Sequence, residues 1–159
     1  MAWWNFLIAI ILSFLPIVEL RAGIPMAILS GINPWIAFFL CVFVNILIIP
    51  FVFFFLDKVH VWLLSYNWYK KSINKTFERA KKRSEKVKKN MNTWGMLALA
   101  LFVAIPLPGT GAWTGTIVAW LLKLNRKKSF WAITLGVAIA GIIVTLAVTG
   151  LVALFGIFI

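Results

Sequence analysis

The sequence predicts an all-α integral membrane protein built as an inverted repeat, each unit a re-entrant helical hairpin followed by a transmembrane helix. The first supporting observation is composition. Of the 159 residues, 63% are hydrophobic and only 13% are charged, and the mean hydropathy is +0.99, a balance that soluble domains do not have. The second is the presence of four long apolar stretches, two of them broken near their middle by helix-breaking residues; the four cover 2–31, 34–56, 94–122 and 129–159.

The third observation is the distribution of basic residues, which decides between two topologies. Eleven of the sixteen lysines and arginines lie in 57–92 and four lie in 123–128. If all four apolar stretches crossed the bilayer, these two basic segments would face opposite sides, against the positive-inside rule. If 94–122 instead enters and returns as a hairpin, both basic segments lie in the cytoplasm.

The same interpretation of 2–31 makes two equivalent units, with both termini outside the cell and the hairpin tips, 15–25 and 105–113, meeting near the midplane of the cell membrane. Irregular backbone at that depth is tolerated where protein or a water-filled cavity surrounds it, as in many secondary transporters. The chain is then a single membrane domain, 1–159. It contains a first repeat over 1–56, a basic cytoplasmic connector over 57–92 and a second repeat over 93–159.

The net charge of +12 does not indicate nucleic-acid binding, because the basic residues flank apolar spans instead of covering a folded surface. Cys41, the only cysteine, lies in an apolar span, and His60 is the only histidine, so we expect no disulfide framework, no metal site and no cofactor. The first apolar stretch lacks a basic leader and is interpreted as mature protein.

The first unit begins with 3–14, an apolar segment that would form a helix of about 18 Å, roughly half of a hydrocarbon core about 30 Å thick. The broken segment 15–25 follows. Asn33 then provides an N-cap for a helix over 34–56, which is long enough to span. Within that helix we expect Asn45 to face other helices.

The connector is the only strongly polar segment. From Tyr69 to Met91 its apolar or small residues recur at spacings of three and four, with Glu78–Lys82 and Glu85–Lys89 pairs on the polar side. Two interpretations stay open, a basic helix lying on anionic lipid and a solvated cytoplasmic linker. Both place the segment in the cytoplasm.

The second unit begins with an apolar half-length segment, 94–105, followed by the most strongly helix-breaking stretch of the chain, 106–113. Its last apolar stretch contains a ridge of small residues suited to close helix packing, which makes a homodimer through this ridge a candidate; the ridge consists of Ala132, Gly136 and Ala140.

Two motifs carry a family resemblance: Pro-Ile-Val-Glu-Leu-Arg-Ala-Gly-Ile-Pro (16–25) and Ala-Ile-Pro-Leu-Pro-Gly-Thr-Gly-Ala-Trp-Thr-Gly (104–115). Together they make nearly the whole chain resemble the putative small multidrug export protein family, itself similar to the DedA/VTT membrane proteins that are implicated in lipid movement. The resemblance implies a set of substrate- or ion-binding residues: Glu19, Arg21, Pro25, Pro106, Pro108, Gly109, Thr110, Gly111 and Trp113. DedA proteins typically carry arginines around the second proline motif, and this chain has none there, so their substrate and coupling rules do not transfer.

Glu19 and Arg21 supply one titratable acid and one fixed cation at membrane depth, where charged residues are costly and usually functional. Burial favours the neutral acid, whereas a nearby guanidinium favours the carboxylate. A proton-coupled carrier can use this opposition, because substrate binding at Arg21 would release Glu19 to take a proton. The alternative is a permanent structural ion pair.

The second motif offers backbone amides, the Thr110 hydroxyl and a half-helix that starts near residue 112. Helix N-termini attract anions, so this motif with Arg21 predicts a site for a phosphate or carboxylate group. The alternative is a set of tight turns that only reverse the chain. Of the nine tryptophans, most are expected to be interfacial anchors, with Trp113 at a tip as the exception.

We therefore expect a transporter of an anionic or amphipathic substrate, with a phospholipid or a lipid-carrier phosphate as candidates, with membrane lipids as partners and with protons as the coupling ion. The alternative is a passive scramblase-like or structural membrane protein. An enzyme is not expected, because the sequence has no His/Asp/Ser constellation and no metal-ligand spacing.

Overall fold

The computed structural model of the chain describes residues 2–63, 94–107 and 109–154. Throughout these ranges the regular structure is helical. In chain order the helices are α1 (Ala2–Phe14), α2 (Leu20–Leu29), α3 (Pro34–Leu63), α4 (Trp94–Ala104), α5 (Ala112–Leu121) and α6 (Arg126–Leu154). The amphipathic stripe from Tyr69 to Met91 and its ion pairs lie outside the described residues.

Among the described helices, α3 and α6 are long and apolar enough to cross a membrane, through the stretches Pro34–Val59 and Arg126–Leu154. The other four contain 10 to 13 residues each, which gives lengths of about 15–20 Å. A helix of that length covers about half of a bilayer core. The predicted division into two long helices and two pairs of short ones is therefore present.

The first break is shorter than expected. It covers only residues 15–19, and α2 begins at Leu20, so Pro25 lies inside a helix and not in a turn. At the sixth position of α2, proline removes one intrahelical hydrogen bond without ending the helix. Burial of Leu20, Gly23 and Ile24 on one face of α2 favours the helical conformation there.

The two halves of the chain repeat each other at a constant displacement of 92 residues. Helix α2 occupies 20–29 and α5 occupies 112–121, while α3 begins at 34 and α6 at 126. Asn33 and Asn125 each place the side-chain oxygen on an amide of the following helix, which makes both of them N-caps.

The hydrogen bonds that end the second helix of each hairpin follow the same displacement. The amide of Ile32 donates to Ala27 O and that of Leu124 to Ala119 O, each at 3.0 Å. Gly31 and Lys123 also correspond, and both adopt positive φ, at 82° and 51°. Left-handed residues in this position are the usual helix C-terminal motif. The repetition is therefore one of backbone conformation, with little identity of side chains.

Helices α3 and α6 pack against each other in antiparallel directions. Asp57, in the last part of α3, forms an ion pair with Arg126, the first residue of α6. Towards the start of α3, the Phe38 ring packs against Gly141 of α6. A Cβ on Gly141 would lie 2.9 Å from Phe38 Cε2. In addition, α1 and α2 pack on α3, α4 and α5 pack on α6, α2 reaches α6 and α5 reaches α3.

The ridge of small residues on α6 faces the interior of the same chain. Ala132 and Ala140 are buried, and a Cβ on Gly136 would lie 2.6 Å from Ala100 O in α4. Within this chain α4 covers the ridge, so the ridge is not exposed to a second copy, and the homodimer itself stays a prediction.

Asn45 faces other helices, as expected. Its side-chain amide donates a hydrogen bond to a carbonyl in the last turn of α1. The last four carbonyls of α1 have no partner within that helix. Leu15 N donates to the carbonyls of Ile11 and Leu12 at 3.2 and 3.3 Å. Asn45 Nδ2 donates to Ser13 O at 3.1 Å, so the buried end of α1 keeps this carbonyl paired.

Replacing Asn45 with leucine should therefore destabilise the fold, because Ser13 O would lose its donor in a fully buried position. We expect a loss of about 1–3 kcal/mol, measured by thermal unfolding of the purified chain in detergent. Asn45→Asp, which keeps the shape but puts an ionisable acid in a fully buried position, should be destabilised as well. Unchanged stability in both variants would contradict this role.

Candidate functional site

The tips of the two hairpins meet at Glu19, which immediately precedes α2. Its backbone has φ 52° and ψ −151°, a conformation that costs a non-glycine residue about 1–3 kcal/mol. Its side chain makes no hydrogen bond that caps its own helix and crosses instead to the second hairpin. The side chain is only 2% exposed. The surrounding contacts therefore hold this residue in an unfavourable conformation.

The Glu19 carboxylate lies at the N-terminus of α5. Trp113 N donates to Glu19 Oε1 at 3.2 Å, and the amide of Ala112 also faces the carboxylate. Free amides and the helix dipole make this position favourable for a negative charge. The chain's own acid thus takes the place that the sequence suggested for a substrate anion.

Arg21 connects Glu19 to the C-terminal end of α4, on the other side of the break between α4 and α5. Its Nη1 lies 3.0 Å from Glu19 Oε2, and its Nη2 donates to Ile105 O at 3.2 Å and to Thr110 Oγ1 at 2.9 Å. Ile105 directly follows α4, so the guanidinium lies at a helix C-terminus, where a positive charge is favourable. The ion pair of the first hairpin therefore complements both helix ends of the second.

Thr110 holds the second tip in shape while it contacts Arg21. Its hydroxyl lies 2.7 Å from Ile105 O and 2.8 Å from Leu107 O, so it can donate to either carbonyl while accepting from the guanidinium. Gly109, with φ 81°, supplies the left-handed backbone that this turn requires.

Gly111 is required by the position of the carboxylate. Its φ of −96° and ψ of −156° are open to any residue, but a Cβ at this position would overlap the Glu19 carboxylate. Only a residue without a side chain lets the carboxylate reach the α5 amides.

Trp113 makes the reverse connection, from the second hairpin to the first. Its Nε1 donates to Phe14 O, the last carbonyl of α1, at 3.0 Å. Its ring makes edge-to-face contacts with Phe14 and Phe51, at centroid distances of 6.0 and 6.3 Å. The tryptophan is therefore a connection between the tips and not an interfacial anchor.

The structure brings together five of the residues singled out in the sequence: Glu19, Arg21, Thr110, Gly111 and Trp113. The remaining described ones do not touch the ion pair through polar atoms: Pro25 lies within α2, while Pro106 and Gly109 shape the second tip. Pro108 lies outside the described residues. Sequence reasoning missed the backbone partners Ile105 O, Phe14 O and the Ala112 amide, which carry no side-chain signal.

The region from residue 19 to residue 143 matches the sequence family described as "Putative small multi-drug export protein". The chain belongs to this family. The matched part contains the ion pair, the second hairpin and most of both long helices of this small multidrug export family member. No curated protein and no solved structure matches the chain. The distant relation to the DedA/VTT proteins stays a prediction.

Gly111→Ala should destabilise this family member by about 1–3 kcal/mol, because the added methyl group displaces the Glu19 carboxylate from the α5 amides. Thermal unfolding in detergent measures the effect. Gly150→Ala is the control, since nothing lies within 4 Å of a Cβ at that position.

A double-mutant cycle identifies the cause. In a Glu19→Ala background the Gly111→Ala substitution should cost much less, because the displaced carboxylate is absent. An equal cost in both backgrounds would show that the carboxylate is not what excludes a side chain at position 111.

Proposed function

We propose that this small multidrug export family member is a membrane transporter whose hairpin tips meet at the bilayer midplane, where Arg21 binds the anionic group of an amphipathic substrate and Glu19 exchanges a proton. The candidate substrates are a phospholipid or a lipid-carrier phosphate. The observation that carries the proposal is the buried Glu19–Arg21 pair, which joins two broken helix ends. Buried charge beside interrupted helices is typical of transport sites.

The proposed orientation is an inverted repeat. It is supported by the 92-residue correspondence of helix bounds and by the antiparallel packing of α3 and α6. If both long helices span, then corresponding points of the two halves lie on opposite sides of the membrane. The end that carries Lys58, Arg126 and Lys127 is assigned to the cytoplasm by the positive-inside rule, which places the start of α1 outside.

The proposed transport step exchanges one anion for another at Arg21. The substrate's anionic group displaces the Glu19 carboxylate from the guanidinium and from the amides of Ala112 and Trp113. Glu19 then takes one proton, so the charge of the site is unchanged by binding. Release of substrate reverses both changes, and the protonation state of Glu19 is thereby linked to occupancy of the site.

The competing function is passive movement of lipid along the thin region between the hairpins. Exposed apolar side chains at the tips, Leu15, Ile17 and Leu107, give that alternative its support. Passive movement would not depend on a pH gradient, whereas movement of substrate together with a proton would.

We expect Glu19→Gln and Arg21→Ala to reduce transport to background while both variants still insert in the membrane. The assay uses proteoliposomes with fluorescent phosphatidylglycerol or phosphatidylcholine, with and without a pH gradient.

Thr110→Val should lower the transport rate about tenfold, because the guanidinium of Arg21 loses a hydrogen bond to the hydroxyl. Thr110→Ser keeps the hydroxyl and should not lower the rate in the same assay.

Transport at the unsubstituted rate in both Glu19→Gln and Arg21→Ala would refute the site. Movement of both lipids at a rate independent of the gradient would instead support the passive function.

Single cysteines at the matched N-caps test the orientation. Asn33→Cys should react with a membrane-impermeant maleimide from outside, and Asn125→Cys only from the cytoplasmic side. Both positions are exposed and serve the same capping role, so the substitutions carry a similar cost of about 1 kcal/mol. The unsubstituted chain is the control, because its only cysteine, Cys41, is buried. Labelling of both positions from one side would exclude the inverted repeat.

A further inference from the structure

We propose that the groove between the end of α3 and the start of α6 binds an anionic phospholipid, with the phosphate at Lys127 and one acyl chain along the aromatic wall. This site is separate from the Glu19–Arg21 pair, and its existence does not depend on the transport step. The groove has a volume of about 370 Å³; its walls are Pro50, Phe53, Phe54, Asp57, Arg126, Lys127, Phe130 and Trp131.

The groove changes in character along its length. One end is ionic, at Asp57 and Arg126, and the other is apolar, at Pro50 and Trp131. Asp57 and Pro50 are seven residues apart on one helix, which corresponds to about 10 Å. The groove therefore runs from the charged ends of the long helices about 10 Å into their apolar part.

Arg126 is held in place by protein contacts. Its two terminal nitrogens donate to the two carboxylate oxygens of Asp57, at 2.7 and 2.9 Å, and Trp120 Nε1 donates to Asp57 Oδ1 at 2.9 Å. The guanidinium also lies 5.7 Å from the centre of the Phe53 ring. The ionic end is thus preorganised, but Asp57 compensates only one positive charge.

Within the described ranges 2–63, 94–107 and 109–154, no acidic side chain forms an ion pair with the two lysines at the start of α6. Arg126, Lys127 and Lys128 are consecutive and exposed, and the first turn of the helix contains no acidic residue. A helix N-terminus is itself positive, so three cations there repel each other and the dipole. This arrangement is stabilised by an anion, and Lys127 is the lysine of this turn that lines the groove.

The chemistry of the whole groove selects a lipid over a soluble anion. Lys58 Nζ lies 5.8 Å from the centre of the Phe54 ring, and the rings of Phe130 and Trp131 pack edge to face, but Phe54 and Trp131 still keep most of their surface exposed. A phosphate alone would contact the lysine and leave this apolar surface uncovered, whereas a hydrocarbon alone would leave Lys127 without an anion. An anionic phospholipid satisfies both parts. Basic residues attract anionic lipid headgroups, and the aromatic wall offers an apolar surface to an acyl chain.

Quenching of tryptophan fluorescence by brominated lipids tests the site. The purified chain is titrated in detergent with brominated phosphatidylglycerol or brominated phosphatidylcholine. The reporter is the signal that Phe54→Trp adds to the unsubstituted chain, because position 54 lines this groove, whereas Trp131 also lines a neighbouring groove that contains Lys128. We expect tighter quenching of this reporter by phosphatidylglycerol. Lys127→Ala should weaken that preference about fivefold, while Lys128→Ala, which removes the same charge one residue away, should leave it nearly unchanged.

Equal quenching by the two lipids, or equal losses in Lys127→Ala and Lys128→Ala, would overturn the proposal in favour of a diffuse attraction to charge. A photo-reactive residue at position 131 gives a second measurement in the membrane. Cross-links to lipid support the site, and cross-links to the chain's own segment 64–93 would show that this segment fills the groove instead.

Discussion

The structure depends on a mutual pairing of helix ends across the two hairpins. Glu19 of the first hairpin covers the amides that open α5, and Trp113 of the second donates to the last carbonyl of α1. Helices that stop inside a bilayer leave polar backbone groups where no water can reach them, and each unpaired group costs several kcal/mol. Neither hairpin supplies all of its own partners, so the two breaks are stable only when the tips are in contact.

The same pairing explains how an ion pair is buried between the hairpins. Burying an ion pair is costly, and removing one partner of such a pair is more costly still. Arg21 lowers that cost by complementing a helix C-terminus while Glu19 complements an N-terminus. The strained backbone at Glu19 is a further cost that these contacts offset. Interactions that hold the fold together are therefore also the ones that a substrate anion would have to displace.

Hydropathy and charge patterning predict the two long helices and the two broken pairs, and the two motifs that carry the family resemblance contain the residues that come together at the tips. Other features depended on tertiary packing. The sequence does not indicate that α2 starts at Leu20, because Pro25 is a helix breaker by residue type and only its packing shows that the helix continues through it. The small-residue ridge of α6 was recognised, but a pattern on one helix does not show which neighbour covers it. The carbonyl partners of Arg21 and Trp113 could not be predicted, because backbone groups are the same at every position.

The contact between Glu19 and Gly111 has a consequence for how such a protein can be constructed. These two residues occupy corresponding positions, 92 apart, each directly preceding the second helix of its hairpin, and they touch each other. Two identical half-length chains related by a twofold axis would carry the same residue at both positions. If that residue were glutamate, two carboxylates would meet at the axis. If it were glycine, the axis would carry no acid. The contact between one glutamate and one glycine requires that the two halves carry different residues at this position. Covalent fusion into one chain allows the two halves to differ.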